Sequence, residues 1–232
     1  MKKIFISAII ILASASCWAQ TELMHQDVKD NVVGKSGPNL KNFSHFYMGF
    51  GFVVGVSDSI GSDVIAGRST NFVLGYRYKF RISNLFAIGC DAAFNSYSFT
   101  LKQSSTKITP DTIIHDKEQL NLGNLGLSGY MRFNYGKRGN RVGNFVDIGG
   151  YGDYRISGVN FTRDKLDNDN VVKTRISNLD YFNPINYGVL ARIGFNRYVI
   201  YGNYRLSDIF KSSYNYPELP RLTIGLQIGF HK

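Results

Sequence analysis

The sequence predicts an all-β fold: an eight-stranded antiparallel up-and-down transmembrane β-barrel. Three observations predict it. Apolar and polar residues alternate with period two in eight separate runs, the signature of strands with one oily face. The connections between the runs are alternately long and short, the layout of barrels of the outer-membrane type. After the N-terminal leader, no stretch holds the roughly 18 consecutive apolar residues of a spanning helix. Of the 232 residues, 44% are hydrophobic, 14% aromatic and only 19% charged, with 24 Gly and 5 Pro, which excludes a disordered chain or a coiled coil.

The chain opens with a signal peptide over residues 1–19. Lys2 and Lys3 precede an apolar run at 4–13, then Ser14-Ala15-Ser16-Cys17-Trp18-Ala19. A basic start, a short apolar run and small residues before a cut after Ala19 make an export signal. Cys17 raises lipoprotein processing as a second option, which is disfavoured by Ser14 standing where such sites carry a large aliphatic residue. The leader holds two lysines and no acid, so 27 basic and 17 acidic residues leave a mature charge of +8. That balance suits outer-membrane lipid and lipopolysaccharide phosphates, while export argues against nucleic acid. Cys90 is then the only cysteine, so no intramolecular disulfide is possible. Residues 20–42 read as a polar periplasmic segment and 43–232 as the barrel.

Each run presents an apolar set for lipid and a small or polar set for the interior. In the first, Phe46, Met48, Phe50, Phe52, Val54 and Val56 alternate with Tyr47, Gly49, Gly51, Val53 and Gly55. The second sets Phe72, Leu74, Tyr76, Tyr78 and Phe80 against Asn71, Val73, Gly75, Arg77 and Lys79. The third sets Phe86, Ile88, Cys90, Ala92 and Phe94 against Ala87, Gly89, Asp91, Ala93 and Asn95. The fourth occupies 124–135, the fifth 146–156, the sixth 186–195, the seventh 198–207 and the eighth 222–230. About 9–11 residues suffice for a tilted strand to cross. Long connections fall at 58–68, 101–118, 158–184 and 208–220, and short ones at 81–84, 136–143 and 196–197. An even strand number places both termini in the periplasm.

A soluble barrel would also alternate, but its water-facing set would be rich in Lys, Glu and Thr rather than Gly, Asn, Arg and Asp. Aromatics gather near the short turns (Phe46, Tyr78, Phe80, Phe86, Phe133, Tyr135, Phe145, Phe195, Tyr198 and Phe230), as at a membrane interface. The charges Arg77, Asp91, Arg132, Asp147, Asp153, Arg155, Arg192 and Arg205 all fall in the interior set. A basic residue on the lipid face costs about 2–4 kcal/mol at the midplane, so they are expected to pair across the lumen. Eight strands enclose room for side chains only, so no wide pore is expected.

The last strand reads Thr223-Ile224-Gly225-Leu226-Gln227-Ile228-Gly229-Phe230. Its Thr223, Gly225, Ile228 and Phe230 match the polar, Gly, apolar and aromatic positions of the signal engaged by the barrel-assembly machinery, where recognition is by strand addition. With the short basic leader and the eight-strand plan, this strand resembles the PorT-like outer-membrane β-barrel family of Bacteroidota, over about Phe43 to Lys232. The resemblance implies an accessory role in type IX protein secretion, within an envelope protein complex. It transfers no functional residue.

No catalytic residue, cofactor or metal is expected. His115 lies between acids in the second long loop, with Ser104 and Ser105 upstream, and would be the base of a lipid-modifying site only if a hydroxyl reached it. Asp164, Asp167, Asp169 and Asp180 are interleaved with Arg163, Lys165, Lys173 and Arg175, which reads as a solvated loop rather than a Ca²⁺ site. Gly149, Gly150 and Gly152 lie in mid-strand and mark a bend or close contact. Lys137, Arg138 and Arg141 in the second short connection suit phosphates or an acidic partner. The 158–184 connection is long enough to be either a binding surface or a disordered tip. The reading is a non-enzymatic structural, accessory or surface-binding barrel. A secretion or assembly subunit, a lipid-modifying enzyme and a small-solute channel are its alternatives.

Overall fold

In the computed structural model the described residues are 36–55, 61–136, 139, 141–166 and 169–231. The expected signal peptide, most of the expected polar arm, and Lys137 and Arg138 lie outside them. Among the described residues nine strands form: β1 (Asn42–Val54), β2 (Thr70–Arg81), β3 (Phe86–Leu101), β4 (Lys117–Tyr135), β5 (Asn144–Lys165), β6 (Val171–Ser177), β7 (Ile185–Phe195), β8 (Tyr198–Arg205) and β9 (Leu222–Phe230). All pairings are antiparallel. Eight strands make a closed ring in the order β1-β2-β3-β4-β5-β7-β8-β9, and β9 returns to β1 from Phe46↔Phe230 to Val54↔Leu222. Closure gives every ring strand two neighbours, which is what a backbone in hydrocarbon requires.

β3, β4 and β5 extend beyond the ring, and β6 joins them there. The 158–184 segment is not one irregular connection: β5 continues to Lys165 and pairs with β6, from Val159↔Ser177 to Lys165↔Val171. The second long connection is shorter than expected, because β3 runs to Leu101 and β4 begins at Lys117. These extensions lie above the apolar belt with water on one side. They lack the outward oily face that lipid imposes on the ring strands, and every residue of β6 is exposed.

Within the ring the alternation is strict. Outward positions such as Phe50, Leu74, Leu127, Ile148, Val189 and Leu226 are exposed, and inward Arg77, Arg132 and Asp147 are buried. Seven outward aromatics at the turn end (Phe46, Tyr78, Phe133, Tyr135, Phe195, Tyr198 and Phe230) are matched by six towards the loop end, Phe52, Phe72, Phe94, Tyr154, Tyr187 and Tyr204. Two such girdles bounding an apolar band are the membrane-facing surface of a barrel. Phe145 is a correction to the turn-end group: its ring points inward and is 1% exposed. Its odd number places it with Asp147 and Tyr151 on the lumen side of β5.

The lumen is filled by one recurring device. Five inward aromatics each lie directly across from a glycine on the next strand: Tyr47↔Gly75, Tyr130↔Gly89, Phe145↔Gly194, Tyr151↔Gly188 and Tyr201↔Gly225. A Cβ at any of these glycines would run into the ring of its partner. The missing side chain is the space in which the ring lies. Two apolar clusters close the ends. Phe43, Val142, Phe145 and Val199 fill the turn end, and a larger cluster including Phe99, Leu120, Leu122, Phe182, Ile209, Phe210 and Leu219 fills the loop end. The cavities left between them are about 20 and 30 Å³, room for one or two waters.

The glycine device makes a direct prediction. Gly89→Val puts methyls against the Tyr130 ring and the Tyr78 carbonyl, and overpacking of this kind costs about 1–3 kcal/mol. Gly202→Val projects into open space. Urea unfolding in micelles should show the first variant weakened by that amount and the second unchanged.

Candidate functional site: the charged lumen and its loop-end cap

Register alone brings the central charges together. Arg77 stands opposite Asp91, Arg132 opposite Asp147, and Asp147 opposite Arg192. Arg77 donates to both oxygens of Asp91 at 3.0 and 3.3 Å, and to Gln227 Oε1 at 2.9 Å. Arg132 forks onto Asp147 at 2.7 and 2.8 Å. Arg192 crosses the lumen to Asp91 at 2.5 Å and lies 3.8 Å from Asp147. Gln227, Arg77, Asp91, Arg192, Asp147 and Arg132 thus form one chain through six strands. The Tyr130 ring lies between the three guanidinium groups, 5.9, 5.3 and 5.4 Å from Arg77, Arg132 and Arg192. Phe145 faces Arg132 at 3.5 Å.

Five of the eight charges placed in the lumen by sequence therefore belong to this chain, and three do not. Asp153 accepts from Asn95 at 2.9 Å. Arg155 lies over the Phe182 ring at 4.5 Å. Arg205 pairs with Glu218 at 2.5 Å and donates to the Leu219 carbonyl at 2.9 Å. Arg155 and Arg205 thus hold the cap: Phe182 comes from the third long connection, and Glu218 and Leu219 from the fourth. Glu218 also accepts from the Ile209 amide at 3.1 and 3.0 Å. Tyr181, Phe210 and Tyr216 pack ring to ring beside it, and burial pushes the Tyr181 phenol above its ordinary range. The cap residues escaped sequence reading because they come from connections with no periodicity.

Beside the cap, Asp111, His115 and Glu118 bring ligand atoms within 4.8 Å of one another. The Lys107 ammonium lies 2.5 Å from Glu118 and 3.2 Å from Asp111, so a cation of the protein itself already balances these acids. His115 Nδ1 is 2.8 Å from Asp164. Ser104 instead meets Thr106 at 3.0 Å, and no hydrogen bond among the described residues joins a serine to the His115 ring. Asp169 is paired with Lys165 at 2.6 Å, and Asp167 lies outside the described residues.

In the final strand, Thr223 and Gly225 face inward while Ile228 and Phe230 are exposed on the outer face. All four lie between β8 and β1 or pair with β1, so the strand has a free edge only before the ring closes. Arg141 is exposed at the turn end.

No family model matches the sequence and no curated protein matches it, so the PorT-like resemblance stays an expectation from layout and the last strand. Among solved structures the chain is similar to Ail, the attachment invasion locus protein of Yersinia pestis, determined with the heparin analogue sucrose octasulfate. The similarity has 11% identity and a TM-score of 0.30, and covers 80% of this chain and 94% of that one. Likeness at that level carries no functional argument.

Three outcomes follow from the charge chain and the cap. Asp91→Ala leaves Arg77 and Arg192 buried without their shared carboxylate and should lower unfolding free energy by about 3–5 kcal/mol. Arg132→Leu combined with Asp147→Leu should cost less than the two single changes added together, by about 0.5–3 kcal/mol; denaturant titration of the cycle measures it. Glu218→Ala frees the cap, and limited proteolysis should then cut within 208–220 faster than in the parent while the ring strands stay protected.

Proposed function

We propose that this chain is an outer-membrane barrel that acts by binding at its loop-end surface, without conduction and without catalysis. The observation that carries the reading is the filled lumen, closed by apolar clusters at both ends, beneath a crown of ordered extensions from β3 to β6. Such an interior transports nothing, whereas structured elements standing above the belt are a natural place for recognition. The uncharged outward positions of the ring support residence in lipid, and the assembly-type last strand supports the outer membrane. With turns on the periplasmic side, the crown faces outward.

The second reading is a wall subunit of a larger envelope complex. Cys90, Gly129 and Gly150 lie in one cross-strand row on the outward face, and a Cβ at Gly129 would meet nothing. Small residues there would let a protein neighbour approach the backbone closely. An accessory role of the kind implied by the PorT-like resemblance would use such a face.

Fractionation and planar-bilayer recording test the first reading together. The mature chain should pellet with outer membranes, require detergent to stay in solution, and give no reproducible current steps. A folded, monodisperse chain in detergent-free buffer, or steady conductance, overturns it. Stoichiometric proteins retained in mild purification favour the wall subunit, and a lipid A mass altered on gene deletion favours an enzyme.

A further inference from the structure

Above the belt, the extended strands sort their charges by face. Neighbouring residues on a strand point to opposite sides, and here acids take the inner side. Glu118 is buried against Lys107 and Asn160, and Asp164 turns to His115. The residues beside them, Lys117 and Arg163, therefore face out. Register then places Lys117 directly opposite Arg163, and Arg163 directly opposite Lys173. The β3–β4 pairing ends at Leu101↔Glu118; one step further the same register sets Lys102 opposite Lys117. Four basic residues consequently stand side by side, three on the adjacent strands β4, β5 and β6 and Lys102 just past the end of β3, about 14 Å from end to end at a strand spacing of about 4.8 Å. Arg175, opposite Phe161, adds a fifth cation one step below.

Like charges directly opposite each other destabilise a sheet, so folding alone does not favour this row. Among the described residues, Lys102, Lys117, Arg163 and Lys173 form no ion pair, and Lys102, Arg163 and Lys173 are exposed. Lys102, Lys117 and Arg163 border an outward recess with Arg68 and Lys165, whose single acid is Asp116. Its Oδ2 already accepts from the Lys165 amide at 2.7 Å. Four cations within about two Debye lengths act on a ligand together.

We propose that this row is a binding site for an extended polyanionic glycan carrying phosphate, sulfate or carboxylate groups, one cation meeting each successive charge. The site deepens the surface-binding reading and rests on it. Its height selects the ligand. Arg163 lies seven residues beyond Ile156, the last exposed apolar side chain of β5, which is about 23 Å along the strand and about 17 Å of height at barrel tilt; Val159 and Phe161 share its outward face but are buried and half-buried. A headgroup layer is only about 5–8 Å deep. The row thus stands clear of lipid headgroups and faces chains that reach it from solution.

The full mature chain in phosphatidylcholine vesicles is titrated with dextran sulfate. The parent should bind, and glycerol phosphate at equal total charge should fail to displace the polymer. Lys117→Gln with Arg163→Gln should weaken binding about 10- to 30-fold. Lys41→Gln with Arg197→Gln, the same charge change at exposed turn-end positions, should shift it less than twofold. The row variant relieves repulsion, so its melting temperature should not fall, and Lys117→Arg should bind as the parent does. Equal losses in the two double variants, displacement by glycerol phosphate, or a parent that ignores dextran sulfate overturns the site. Since the bilayer recording is independent of all three, the sealed-barrel reading stands or falls separately.

Discussion

Eight strands enclose a space about as wide as the side chains that fill it, and no backbone donor or acceptor can be left open toward lipid. These two demands act on the same residues. Closing the ring forces half of each strand inward, where large side chains collide unless the opposite strand makes room. The five glycine–aromatic pairs meet that demand locally, strand by strand. They also set the platform for the charges: the Tyr130 ring, lodged over Gly89 with its hydroxyl donating to the Tyr78 carbonyl at 3.0 Å, is the surface around which Arg77, Arg132 and Arg192 gather. Without the glycine there is no place for the ring, and without the ring the guanidinium groups repel across an open gap.

Two kinds of buried polarity serve different ends. The central chain is nearly self-contained, because three arginines share two carboxylates and a glutamine. Desolvating such groups is expensive, so their contribution is better sought in fixing strand register than in net stability. Nearer the loop end, Arg155 and Arg205 have no aspartate partner on a neighbouring strand and reach instead to Phe182, Glu218 and a backbone carbonyl. There the ring uses its spare positive charge to hold the connections down.

The ring was legible from sequence for a physical reason: lipid on one side and a crowded lumen on the other impose the sharpest two-residue contrast available to a strand. The eight lumen charges were assignable to the inner face on the same basis, since none of them fits against acyl chains. Their partners were only half legible. Arg132 and Asp147 are neighbours by register, which follows from turn length, but the bond from Arg192 to Asp91 spans the barrel and depends on curvature. Phe145 was misplaced because an aromatic at a strand end suggests the interface before its odd number is weighed. β6 was invisible because it has no buried side at all, and the cap because Phe182, Ile209 and Leu219 lie in segments without a period.

Between Gly123 and Asn124 the β4–β5 register slips by one residue, with Gly123 opposite Ser157 and Asn124 opposite Arg155. Below the slip, odd-numbered residues of β5 point inward; above it, Asn160 and Thr162 are the buried ones. One unpaired residue thereby divides a single strand into two reading frames. Mutational drift in the crown can alter what is displayed to the surroundings without disturbing the pattern that lipid imposes below, so the two halves of β5 are free to answer to different selective pressures.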